Sequence, residues 1–179
     1  IYEKLGDVQA TTGSLEAAEV SKHRAVRVYR NLAQSQPSDP NRQVSYAVAL
    51  IKLGDLLGNP NFANRGRPAD ALVQYRDAEA ILTQLHAADS TAANTTRLFG
   101  LAYERIGTIH DQQGRLDAAL EAYRRSADLR EAYAAAHPAN TDAIRDWAVA
   151  HEKMGDMLAQ MGDLAAARAR YQQSRDLFA

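Results

Sequence analysis

The chain has 179 residues, 46% of them hydrophobic and 24% charged, with a formal net charge of −1 and no cysteine. Disulfide staples and thiolate metal sites are therefore excluded, and nothing draws the chain generally to phosphate backbones or anionic membranes. No apolar run approaches the ~20 residues that a membrane helix needs, so the expectation is a cytoplasmic segment without membrane or nucleic-acid contact.

Four related phrases organise the chain: EKLGD (3–7), IKLGD (51–55), ERIGT (104–108) and EKMGD (152–156). Their glycines, Gly6, Gly54, Gly107 and Gly155, are spaced by 48, 53 and 48 residues, and a second glycine follows at Gly13, Gly66, Gly114 and Gly162. The five extra residues of the middle interval fall between Gly54 and Gly66. A period of this length marks stacked supersecondary units that bury a core through their neighbours.

In chain order, the first copy predicts helices over 1–12 and 14–35, broken at Gly13 and stopped near Pro37. The second predicts helices over 40–58 and 67–88, separated by the insertion GNPNFANRGRP (58–68), which reads as a loop with one apolar residue, Phe62. In the third copy a helix over 92–113 ends at Gly114. The next, over 115–136, carries Leu116, Ala119, Leu120, Tyr123, Ala127 and Tyr133 on one face until HPAN (137–140) stops it. The fourth copy places Ile144, Trp147, His151, Met154, Leu158 and Met161 on one stripe of a helix over 139–161. After Gly162, Asp163 caps a last helix over 163–178 that aligns Leu164, Ala167, Tyr171, Ser174 and Phe178. Aromatics hold register too: Tyr46, Phe99 and Trp147 stand eight residues before their glycine, and Tyr75, Tyr123 and Tyr171 nine after the turn glycine. Repetition in register predicts that both sets, Trp147 included, form interhelical core.

A small residue on the first helix, then alanine and an aromatic on the second, is the spacing of Gly107, Ala119 and Tyr123 and of Gly155, Ala167 and Tyr171. In this the chain resembles the tetratricopeptide repeat family. The resemblance implies an all-α, right-handed superhelical solenoid of four antiparallel helix pairs, one array with units of about 1–38, 39–90, 91–138 and 139–179. The family's common unit is 34 residues; the longer unit here resembles the long-repeat arrays of kinesin light chains. The wording GNPNFANRG, an ALxxYR helix and AADS or AAHPAN resembles arrays that follow the catalytic domain in some bacterial serine/threonine kinases. Ile1 aligns with Ala49, Ala102 and Ala150, positions inside helices. The expectation is thus a piece of a longer chain with weak end-to-end self-association.

No catalytic, cofactor or metal motif is present, and the five histidines occupy different registers rather than one cluster. His110 and His151 replace residues on the packed faces of their helices, His23 lies at a surface register, and His137 is in a turn. The resemblance implies instead that a protein or peptide binds along the first helices. The positions three before and one after the small residue read Glu3 and Asp7, Ile51 and Asp55, Glu104 and Thr108, Glu152 and Asp156, with Arg97, Asp111 and Arg145 on the same face. Six of those eight are acidic, which fits either a groove for a basic peptide or a ladder of salt bridges between repeats. For that ladder Lys4, Lys52, Arg105, Lys153, Arg97 and Arg145 are the available cations. The insertion supplies a candidate rim: Asn61, Phe62, Asn64 and Arg65.

Overall fold

The computed structural model describes residues 1–178. Among them are eight helices and no strand: α1 (Tyr2–Thr11), α2 (Leu15–Ser35), α3 (Pro40–Gly58), α4 (Pro68–Ala88), α5 (Ala93–Gln112), α6 (Leu116–Ala136), α7 (Thr141–Gln160) and α8 (Leu164–Asp176). Every boundary lies within two residues of the expectation. The helices fall into two compact units, Ile1–Asp89 and Ser90–Ala179, each containing two helix pairs.

Punctuation residues explain the boundaries. Gly13, Gly66, Gly114 and Gly162 all have φ between 68° and 86°, the left-handed region that ends a helix without a Cβ penalty. Behind three of them the same bond closes the helix: Ser14 N donates to Gln9 O, Arg115 N to His110 O and Asp163 N to Leu158 O. In the second copy Arg67 N donates to Leu57 O at 2.8 Å, the equivalent pair with the insertion looped out between its partners. The extra residues thus leave the repeat frame intact. Asp39, Asn140 and Asp163 cap α3, α7 and α8 with side-chain oxygens, and Pro68 starts α4 where a missing N–H costs nothing.

Within each pair the first helix is cut small so that the second can approach. A Cβ on Gly54 would lie 2.5 Å from the Tyr75 ring, one on Gly107 2.7 Å from Tyr123, and one on Gly155 2.6 Å from Tyr171. Contacts climbing α5 from Gly100 to Gly107 descend α6 from Arg130 to Tyr123, so the pair is antiparallel. In unit 1, Ala47, Leu50, Leu53 and Leu57 of α3 and Ala71, Tyr75, Ala78 and Leu82 of α4 are all buried at three- and four-residue steps. In unit 2, Ala119, Tyr123 and Ala127 pack on Ala150, Met154 and Met157. Each fully buried large side chain contributes about 1.5–3 kcal/mol.

The other aromatic register behaves differently. Phe99 is buried, but Tyr46 and Trp147 are half-buried, so the expected core position of Trp147 is corrected. Its ring lies against His151 in a groove open between α6 and α8. Tyr171 is likewise 40% exposed, where Tyr75 and Tyr123 are fully buried.

Candidate functional site

The residue after each repeat glycine meets the second-helix tyrosine. Tyr75 donates its hydroxyl to Asp55 at 2.7 Å, Tyr171 to Asp156 at 2.9 Å, and Tyr123 to Thr108 Oγ1 at 3.3 Å. Burial pushes the Tyr123 hydroxyl well above its ordinary pKa, so it stays a donor. The first copy has Lys22 where the others have tyrosine. Its stem, 4% exposed, packs on Gly6, and its ammonium pairs with Asp7. One position therefore serves one task in four copies, with a lysine in place of the phenol against a carboxylate of the same register.

The position three before the glycine is also engaged. Glu3 pairs with Lys52, which reaches Asp7 at 3.7 Å as well. Burial alone lowers the Lys52 pKa, but the bonds to Glu3 and Asp7 outweigh it and hold the group above its ordinary value. Glu104 pairs with Arg105 at 2.8 Å and with Arg130. Glu152 accepts from Ser174 Oγ at 2.9 Å. Lys52 with Glu3 is a bridge between repeats; Arg97 and Arg145 turn instead to Asn94 and to Asp142 and Asp146. Ile51 and Thr108 are buried and offer no open surface. Asp7, Arg97, Arg145, Glu152 and Asp156 are exposed, and Asp111 is half-exposed.

The insertion is tied down on both sides. Asn59, fully buried, donates to Asp55 at 3.0 Å and to the Tyr75 hydroxyl at 3.2 Å, while its own Oδ1 accepts from Asn61 N at 3.0 Å. Asn64 donates to the carbonyls of Asn59 and Phe62 and accepts from Gly66 N. On the outer side Arg65 and Arg67 close on Glu19 at 3.1 and 2.6 Å. Burial works against the Glu19 carboxylate, but the Arg67 and Arg65 guanidinium groups hold its pKa below the ordinary value. This fixed loop presents Phe62, 45% exposed, at a groove of about 350 Å³ whose walls include Asp7, Thr11, Lys52, Asp55 and Leu56. Within unit 1, then, the rim residue Phe62 and the first-helix positions Asp7 and Asp55 share one cleft. Asn61, Asn64 and Arg65 hold the loop's shape.

Three residues central to this arrangement are not marked by the repeat phrases: Lys22, Asn59 and Arg130. Arg130, 8% exposed, donates to Ser126 Oγ, to the Asp146 carbonyl and to Glu104. It stands in the register of Tyr29, Leu82 and Phe178, and Lys22 in that of three tyrosines; a charge at an otherwise apolar register is the signal that marks both.

A family model for the tetratricopeptide repeat matches residues 101–133, the stretch containing Gly107, Ala119 and Tyr123. Among solved structures, BtubC (BKLC) from P. vanneervenii aligns over 92% of this chain with a TM-score of 0.66 and 21% identity, which shows a shared fold. The chain spans 57% of the length of that structure. MamA (residue 41 to the end) from Desulfovibrio magneticus RS-1 aligns over 98% of this chain and 92% of its own at 17% identity and a TM-score of 0.34. No curated protein sequence matches the chain. Among the described residues no helix is long and apolar enough to cross a membrane.

Proposed function

We propose that this chain is a non-catalytic scaffold that binds a protein or peptide partner, with the groove of unit 1 beside Phe62 as its contact site. The observation that carries the reading is the convergence there of an exposed aromatic on a pinned loop with the exposed Asp7. An aromatic held in place before binding loses little entropy when a partner covers it, the usual character of an interface anchor. Because Asp55 and Glu3 are already engaged, the acidic stripe acts mainly as internal framework. Asp7 pairs with Lys22 and Lys52 yet keeps 50% of its side chain exposed, and as the more exposed carboxylate of the groove it can meet a basic side chain of the partner.

The repeat period of 48 residues and the 21-residue helices α4 and α6 support reading it as a long-repeat tetratricopeptide array. Phrase resemblance supports a larger bacterial signalling protein, a serine/threonine kinase, acting in the cytoplasm, as its parent. A photo-crosslinking residue at position 62 in the full-length parent should capture one discrete partner, and Asp7→Lys should abolish the capture. Crosslinking that survives Asp7→Lys unchanged, or that never rises above a label on exposed Val73, would refute the site. A reading frame upstream without HRD and DFG phrases would refute the kinase parent and leave an independent adaptor.

A further inference from the structure

The sole tryptophan of the chain lines a second groove, in unit 2, of about 360 Å³. Trp147 and His151, one turn apart on α7, have ring centroids 5.9 Å apart. Around them α6 supplies Asp128 and Glu131, and α8 supplies Arg170 and Asp176. His151 is 8% exposed, and its Nδ1 is buried with no hydrogen-bond partner among the described residues. The same register holds Tyr2, Leu50 and Tyr103 in the other copies, so the imidazole is particular to this groove. A buried ring nitrogen without a partner is an uncompensated polar group, and the imidazole that carries it lines the groove.

The charges around the rings select the ligand. Asp128 is bonded to Arg124 at 3.2 Å and Asp176 to Arg175 at 2.8 Å, both surface pairs that exchange readily. Glu131 lies in the groove without an ion pair among the described residues. The guanidinium of Arg170 is occupied by Gln173 at 3.1 Å. An indole face attracts cations, and a guanidinium can stack on it while donating in its own plane. We propose that this groove binds a cationic side chain, that of an arginine in a basic peptide, placed over Trp147 with its N–H groups directed to Glu131 and His151.

This site is separate from the Phe62 groove and does not rest on it. Burial, then the charge of Arg170, holds the His151 pKa below its ordinary value, with Glu131 opposing. At neutral pH the ring is therefore an uncharged acceptor. Protonation adds a positive charge beside Arg170, in a groove where Asp128 and Asp176 already have arginine partners. Arginine binding must then weaken in acid.

Tryptophan fluorescence of the full chain, titrated at low salt with an amidated Ala-Arg-Ala-Arg-Ala peptide and its glutamate analogue, tests the proposal. The arginine peptide should give a saturable change at pH 7.5, weakened about tenfold by Glu131→Gln. Circular dichroism should show that variant as helical as the parent. No saturable change, undiminished binding by Glu131→Gln, or tighter binding of the glutamate peptide would each overturn it, the last by assigning the groove to an anion held by Arg170. Binding confined to the Phe62 groove leaves Trp147 silent and so counts against this site alone.

Discussion

Gly107 and Tyr123 show how one residue pair sets the spacing of a helix pair. The ring lies where a methyl group would be, since a Cβ on Gly107 would sit 2.7 Å from it, and the contact is with a fully buried ring that cannot swing aside. Gly107→Ala should therefore cost about 1–3 kcal/mol by overpacking, despite alanine's better helix propensity, and the urea midpoint will show it. A midpoint unchanged or raised would mean that the pair spreads without loss. Arg130 is a harsher case, because Glu104 beside it is also largely buried, with 18% of its side chain exposed. Arg130→Ala leaves Glu104 with Arg105 as its remaining cation and Ser126 Oγ with its bond to Gly100 O, so the expected loss is that of the removed charge-assisted bonds, about 1.5–3 kcal/mol. Arg130→Lys, which keeps a positive charge beside Glu104, should recover part of it; a lysine variant as unstable as Arg130→Ala would show that the damage is not the lost charge.

At the scale of elements, the insertion is a loop whose order comes from the side chains of Asn59 and Asn64 and from the Arg65 and Arg67 bonds to Glu19. Asn59→Ala removes its link to Asp55 and Tyr75 and should cost about 1–3 kcal/mol. Limited proteolysis within 58–68 should accelerate while the helices remain protected, and equal cleavage rates in parent and variant would count against Asn59 as the pin. The helix ends were legible in the sequence because each is written in local chemistry: a left-handed glycine, a capping carboxylate or amide, a proline at the first turn. The interhelical tyrosines were legible because they recur. Trp147 was misplaced by the same logic, since register fixes which way a side chain points but not whether a neighbour covers it. The engagement of Asp55, Thr108 and Asp156 by tyrosine hydroxyls depends on a partner 15 or 20 residues away and has no local signature. The groove joining Phe62 to Asp7 brings together residues from α1, α3 and the loop, which no single stretch of sequence displays.

Across the whole molecule, two groups give the two units different responses to acid. In unit 2, His151 has a folded pKa below the ordinary 6.5 of an imidazole, so the unfolded chain binds its proton first. Stability is then level above about pH 6.5, falls as the pH drops towards the folded value, and levels again below it. In unit 1, Glu19 has a folded pKa below the ordinary 4.5. Its contribution is present above that value and is lost as the pH falls through the folded one, well after His151 has acted. Contacts in repeat stacks are made between neighbours, which lets regions open separately. Trp147 sits in unit 2 and is the sole indole, so its fluorescence reports that unit, whereas helical circular dichroism reports both. Between pH 7.5 and pH 5.5 the fluorescence-detected urea midpoint should fall more than the one detected by circular dichroism. His151→Tyr, the residue of the same register at Tyr103, should flatten the fluorescence response by removing the titrating ring. Equal shifts by both probes, or an unchanged response in His151→Tyr, would mean that acid acts through other groups and that the two units do not respond separately.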